Sequence, residues 1–140
     1  MSFPYSPEYT PPAPIIQVRF GAPEEAPKVG PFQAMIDSGA DMTIAPKAIL
    51  LDVGAPSLFE AQLSSQWGEL HNTVVYLIDV YIGELKLVGV HIAAEENAEE
   101  IILGRNVLNK LPLLLDGPKQ LAKILDDTTI QRLRKVYVAD

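Results

Sequence analysis

The stretch from Ala34 to Ile44 constrains the fold more than any other part of the chain. An apolar run at 34–36 leads into Asp37-Ser38-Gly39, and a second apolar run leaves the turn at 42–44. Short apolar runs bounded by turn residues predict buried strands, so the turn presents an acidic side chain from a rigid base. Gly39 lacks a Cβ and allows another backbone or a ligand to come close. The same three residues are also an ordinary turn composition, so their role depends on the rest of the chain.

A second motif repeats this construction further along the chain. The apolar run Ile101-Ile102-Leu103 meets Gly104-Arg105-Asn106, and Val107, Leu108 and Leu111 follow at helical spacing, which predicts one short helix after Gly104. In this order, the two motifs resemble those of the retropepsins, the single-lobe, retroviral-type aspartic proteases. The resemblance covers roughly residues 15–125. It implies an all-β fold, a closed β-barrel-like subunit with a flap hairpin, and a homodimer with one active site on its two-fold axis.

The resemblance also implies roles for the residues of the first motif. Asp37 resembles the catalytic aspartate, and Ser38 resembles the hydroxyl residue that bonds across the dimer. Gly39 resembles the residue whose carbonyl meets the substrate chain, and Ala40 completes the supporting loop. Because Ala40 has no hydroxyl to offer the carboxylate, we expect cleavage at mildly acidic to neutral pH.

The positions around the cleft are assigned in the same way. Asp41 matches a position that contacts the substrate backbone, and Arg105 matches the arginine that pairs with it, so an Asp41–Arg105 ion pair is predicted within each subunit. Asn106 matches a position behind the cleft, and Ile102 matches a position that lines it.

The flap is expected at 58–68, with its tip at 64–68. Trp67, the only tryptophan, is predicted to cover a bound peptide; the alternative is that it packs into its own core, as buried aromatic residues do. The tip has fewer glycines than the retroviral flap, which leaves its position open.

Peptide hydrolysis of this kind needs two carboxylates that share one proton. A second Asp-Ser/Thr-Gly motif is missing, because Asp52-Val53-Gly54 lacks a hydroxyl and Asp127-Thr128-Thr129 lacks a glycine. The second carboxylate is therefore expected from Asp37 of another copy, which a two-fold axis brings opposite the first.

Three regions are predicted. Residues 1–14 contain five prolines and form a proline-rich extended arm, which resists helix and central strand. A loose terminus, an arm docked on the partner subunit and a trimmed propeptide all remain open for it. Residues 15–125 form the protease-like domain, and 126–140 form a C-terminal tail in which Asp127-Thr128 could cap a last helix.

Strands are expected at several apolar, β-branched runs between turn signals. The segment 42–49 is predicted to continue as a strand after the acidic turn, and 51–57 is predicted to be a connection. Further strands are predicted at 15–20, 32–37, 73–82, 85–94, 113–116 and 121–125, the last four forming two hairpins.

Composition excludes several classes of function. The net charge of −7 argues against nucleic acid as a partner. Without cysteine there are no disulfides and no thiolate chemistry. His71 and His91 are isolated and no His-Glu-x-x-His motif occurs, so neither a metal nor another cofactor is expected.

Neither a signal peptide nor an apolar run of about 20 residues is present, which predicts a cytoplasmic protein without a membrane span, or one released from a larger polyprotein.

The sequence therefore predicts an aspartic endopeptidase that acts as a homodimer on a peptide or protein substrate in extended conformation. The alternative is a non-catalytic module of the same fold that dimerises or binds peptides.

Overall fold

The computed structural model describes residues 1–64 and 67–137. The strands in these residues are β1 Ser2–Pro4, β2 Ile15–Gly21, β3 Val29–Ile36, β4 Thr43–Pro46, β5 Ser57–Ser64, β6 Leu70–Ile82, β7 Leu85–Glu95, β8 Ile101–Leu103, β9 Leu113–Asp116 and β10 Leu121–Ile124. The helices are α1 Lys47–Val53, α2 Arg105–Leu108 and α3 Asp127–Tyr137. None of the helices in this part of the chain is long and apolar enough to cross a membrane.

Six strands close into a barrel, which confirms the predicted all-β fold. They pair in the order β2-β3-β8-β4-β7-β6, and a further β2–β6 pairing closes the ring. Side chains along β2 alternate between the core and the solvent: Ile16, Val18 and Phe20 are fully buried, while the intervening Gln17 and Arg19 are exposed. A strand with this period has one face for the core and one for solvent.

Strand β8 enters the barrel between the two strands that flank the acidic turn. It runs parallel to β3, with Met35 opposite Ile102, and antiparallel to β4, with Ile44 opposite Ile102. The end of β8 therefore lies beside the turn at 37–42, and the two sequence motifs meet in space.

The flap region is a hairpin of β5 and the first half of β6. Leu63 lies opposite His71 and Ser64 opposite Leu70. The predicted tip falls partly on residues 65 and 66, which lie outside the described residues.

The chain termini form a second, three-stranded sheet in the order β1-β10-β9. Ser2 lies opposite Lys123, and the Met1 ammonium group donates to the Ile124 carbonyl at 3.2 Å. The start of the proline-rich arm is therefore paired with a strand near the C-terminal end of the same chain. Beyond β10, the expected C-terminal helix is present as α3.

Two local predictions were wrong. The strand predicted to run through 42–49 ends at Pro46, and α1 follows, because Leu50 and Val53 point one helical face into the core and Gly54 ends the helix at φ 76°. A short apolar run does not distinguish strand from helix. The cap of α3 is Asp126, whose Oδ1 accepts the Thr129 amide at 2.7 Å, and not Asp127-Thr128.

Asp79 on β6 is a fully buried carboxylate with two backbone partners. Its oxygens accept the Gly89 and Glu24 amides, each at 2.9 Å, and the Lys86 ammonium lies 3.6 Å away. Burial by itself raises the pKa of Asp79, but these amides and the lysine outweigh it, so the pKa lies below its ordinary value of 3.8. The ionised carboxylate fastens the loop after β2 to the β6–β7 hairpin.

Candidate active site

Asp37 is held at the end of β3 by its own backbone. Its amide donates to the Leu103 carbonyl at 3.1 Å, and its carbonyl accepts the Ala40 amide at 3.2 Å. The Gly39 amide donates to Asp37 Oδ1 at 2.9 Å. Asp37 is half-buried. Its carboxylate is therefore oriented by the Gly39 amide and remains accessible to solvent.

The turn leaves this carboxylate accessible. Ser38 and Gly39 are exposed, and Ala40 is half-buried. A Cβ on Gly39 would lie 3.1 Å from Asp37 Oδ1, which is tighter than most side chains tolerate. Glycine at this position leaves the carboxylate free to accept the amide.

Gly104 allows the two motifs to cross. An added Cβ would lie 2.6 Å from both the carbonyl carbon and oxygen of Met42 and 3.0 Å from the Ala40 carbonyl oxygen. All three atoms are backbone, so nothing flexible can move aside. Only glycine allows β8 to end against the segment that follows Asp37.

A buried hydroxyl joins the same two segments. Thr43 Oγ1 accepts the Gly104 amide at 3.1 Å and donates to Asn106 Oδ1 at 2.8 Å. Asn106 Oδ1 also accepts the Thr43 amide at 3.0 Å, and Asn106 Nδ2 donates to the His91 carbonyl at 2.8 Å. Asn106 thus lies behind the turn. Thr43 was not predicted as a site residue, although a polar residue inside the apolar run 42–44 was a signal for it.

The predicted ion pair between Asp41 and Arg105 is not among the salt bridges of residues 1–64 and 67–137. Arg105 instead donates from a guanidinium nitrogen to the Ser38 carbonyl at 2.8 Å, and its amide donates to the Ala40 carbonyl at 2.8 Å. The Asp41 side chain is exposed, and its carbonyl accepts the Asn106 amide at 3.3 Å. The arginine therefore holds the acidic turn through backbone oxygens, and this part of the prediction was wrong.

An apolar row lies on the outer face of the barrel beside the turn. Met35, Ile102 and Ile44 are cross-strand neighbours on three adjacent strands, and all three are half-buried. Ile44 and Ile102 line a cavity of about 500 Å³ together with residues of the loop at 95–100. Ile102 was predicted here from the sequence, but Met35 and Ile44 were not, because their grouping with Ile102 depends on strand register.

Trp67 lies just beyond the flap strand β5, and its side chain is 82% exposed. It is therefore not packed into the core, which removes that alternative. Its contact with a peptide stays a prediction.

The side chains of the two histidines, which are distant in sequence from the acidic turn, contact residues outside this turn. His71 Nε2 is 2.6 Å from Glu95 Oε1, and the His91 ring meets the Phe59 ring edge-on at 5.7 Å. Among the described residues, no group of three or more metal-binding side chains is placed to hold an ion.

Comparison of the fold with solved structures finds a retropepsin-like aspartic protease from Rickettsia conorii. The TM-score is 0.58 at 14% identity, over 87% of this chain and 86% of that one. The retroviral protease-like domain of Ddi1 from Leishmania major matches with a TM-score of 0.49 at 14% identity, over 79% of this chain and 87% of that one. No protein-family model matches the chain, and no curated protein matches it significantly. The first likeness shows the predicted retropepsin-like fold.

Proposed function

We propose that this chain, which has the retropepsin-like fold, is an aspartic endopeptidase that acts as a homodimer. The observation that carries the proposal is the Asp37-Ser38-Gly39 turn, presented at the surface end of β3 and braced by Gly104 and Arg105. A carboxylate on such a rigid and solvent-facing base is suited to activate a water molecule.

The chemistry requires a second carboxylate opposite the first. One carboxylate takes a proton from the attacking water, and the other gives a proton to the carbonyl oxygen of the scissile peptide bond. Two carboxylates in contact cannot both be ionised, so the pair shares one proton. We propose that Asp37 of a second copy completes the pair, since the chain has one such motif.

The sheet of the chain termini supports association with a second copy. In the described residues β9 pairs with β10 alone, so its other edge has no strand partner, and Leu115 on this strand is 48% exposed. An exposed apolar edge strand is a template for pairing with another chain. Pairing of β9 with its symmetry mate places two subunits around a two-fold axis.

A peptide in extended conformation would cross the apolar row of Met35, Ile102 and Ile44. We propose that the Gly39 carbonyl and Asp41 contact its backbone and that Trp67 covers it from the flap. An extended peptide points alternate side chains toward the surface on which it lies. Such a peptide is therefore suited to a surface formed by the ends of strands.

The test is cleavage of casein from about pH 3 to about pH 8 by the wild type and by Asp37→Asn. We expect cleavage that pepstatin inhibits, that Asp37→Asn abolishes, and that falls in specific activity on dilution as the dimer dissociates. Asp37→Asn removes a charge and keeps the side-chain shape, so its fold and its dimer should survive. Circular dichroism and sedimentation check this.

The same experiment separates the alternative. A folded, dimeric wild type that cleaves nothing over this pH range, and whose Asp37→Asn variant behaves identically, is a dimerisation or peptide-binding module. Cleavage that survives Asp37→Asn would contradict the assignment of the catalytic residue.

A further inference from the structure

The proline-rich arm folds back and closes a loop on its own subunit. The Tyr5 amide donates to the Gln120 carbonyl at 2.9 Å, which extends the sheet of the termini. Ser6 and Ala13 then form a two-hydrogen-bond bridge, and Ser6 is 2% exposed. The loop closed by this bridge, residues 6–13, is here named the strap.

The tip of the strap reaches across the outer surface to the loop before β8. The Tyr9 hydroxyl donates to Glu100 Oε1 at 2.5 Å. This hydrogen bond, with some burial and the nearby negative charges, raises the pKa of Tyr9 to about 12. Gln33 on β3 donates to Glu8 at 3.3 Å, so the strap is attached to the barrel at its tip as well as at its base.

Glu100 belongs to the wall of the candidate cleft. It directly precedes β8, whose Ile102 lies in the apolar row. Glu99 and Glu100 line the 500 Å³ cavity with Ile44 and Ile102. They also line a second cavity of about 440 Å³ that contains Glu8 and Tyr9 of the strap. The strap therefore contacts Glu100 from a different cavity than the one that Ile44 and Ile102 line.

We propose that Tyr9 is a positioning residue for the substrate, acting through Glu100 to hold the loop at 96–100 against the cleft, and that the strap is retained in the active enzyme. This inference rests on the proposed function. It excludes two of the interpretations left open for the arm, because a propeptide would be removed and a loose terminus would hold nothing. The third, docking on the partner subunit, is replaced by docking on the same chain through Tyr9 and Glu8.

The expected signature is a change in KM without a change in kcat. A loop released from Tyr9 has to be ordered when substrate binds, and that cost falls on binding. Once substrate saturates the site, Asp37 and the water are in the same geometry, so kcat is unaffected. Loss of one hydrogen bond to a charged but accessible group predicts a rise in KM of about fivefold.

The experiment compares the cleavage kinetics of Tyr9→Phe and Tyr5→Phe on one synthetic peptide that contains a site at which the wild type cleaves casein. Tyr5 is a matched control, since it lies in the same arm and the tyrosine hydroxyls that form hydrogen bonds within the described residues are those of Tyr9 and Tyr81. We expect Tyr9→Phe to raise KM about fivefold and Tyr5→Phe to leave both constants unchanged. In a Glu100→Ala background, Tyr9→Phe should have no further effect, as double-mutant cycles require of coupled residues.

Hydrogen exchange gives a second readout that needs no activity. Amides at 96–103 should exchange faster in Tyr9→Phe than in Tyr5→Phe when the two variants have equal urea midpoints. Equal KM values and equal exchange in the two variants would overturn the inference while the proposed function stands. A wild type without Asp37-dependent cleavage would refute the proposed function and the substrate role together, and the exchange experiment would still show whether Tyr9 orders the loop.

Discussion

Replacing Gly104 by alanine tests the packing that brings the two motifs together. The new Cβ would lie 2.6 Å from the carbonyl carbon and oxygen of Met42, against about 3.4 Å for an ordinary contact. The backbones must therefore separate by roughly 0.8 Å. Overpacking of this kind costs about 1–3 kcal/mol. Strain on the hydrogen bond from Gly104 to Thr43 Oγ1 adds about 1 kcal/mol.

The backbone conformation of Gly104 does not itself forbid alanine. Its φ of −89° and ψ of −178° are extended, a region that alanine adopts freely. Alanine there even gains about 0.4–1 kcal/mol from a less flexible unfolded chain. The net expectation is a loss of about 1–3.5 kcal/mol in the free energy of unfolding.

Urea unfolding at 25 °C measures this loss, with Gly117→Ala as the control. Gly117 has no atom within 4 Å of an added Cβ, so the control should be as stable as the wild type or slightly more stable. Activity should fall in Gly104→Ala as well, because the same shift moves the Leu103 carbonyl that holds the Asp37 amide. If both variants unfold within about 0.5 kcal/mol of each other, the steric argument is wrong.

Three further predictions concern single side chains. Asp79→Asn should lower the free energy of unfolding at neutral pH and make it depend less on pH in the acid range. Because the pKa of Asp79 is lowered by folding, its stabilising contribution is complete above the pKa of the unfolded state and disappears as the pH falls through the pKa of the folded state. An unchanged profile of urea midpoints between about pH 2 and about pH 7 would contradict this. Thr43→Val should cost about 1–3 kcal/mol in urea unfolding, because the Gly104 amide loses its buried acceptor; equal midpoints would contradict it. For Ala40→Ser we expect a more acidic optimum of casein cleavage, since the new hydroxyl can bond the ionised carboxylate, whereas a wild-type optimum at roughly pH 2–3 would refute the role given to Ala40.

The position of the acidic turn and the main hairpins followed from local sequence. Alternation with a period of two marks β2 and β7, and Gly83-Glu84 marks the turn between β6 and β7. These signals act over a few residues, where backbone sterics and burial of alternate side chains suffice. The same local pattern predicted a strand over 32–37 that delivers Asp37, and β3 ends at Ile36, directly before this residue.

Contacts between distant segments were decided by tertiary structure alone. Thr43 bonds Asn106 across 63 residues, and Arg105 reaches the Ser38 carbonyl across 67. The resemblance had suggested Asp41 as the arginine's partner, but the approach of β8 places the guanidinium nearer the backbone oxygen of the turn. The strap shows the same limit, because proline content predicts an extended chain and does not say where it docks. Residue type sets which bonds a side chain can make, and strand register and closure of the barrel decide which of them form.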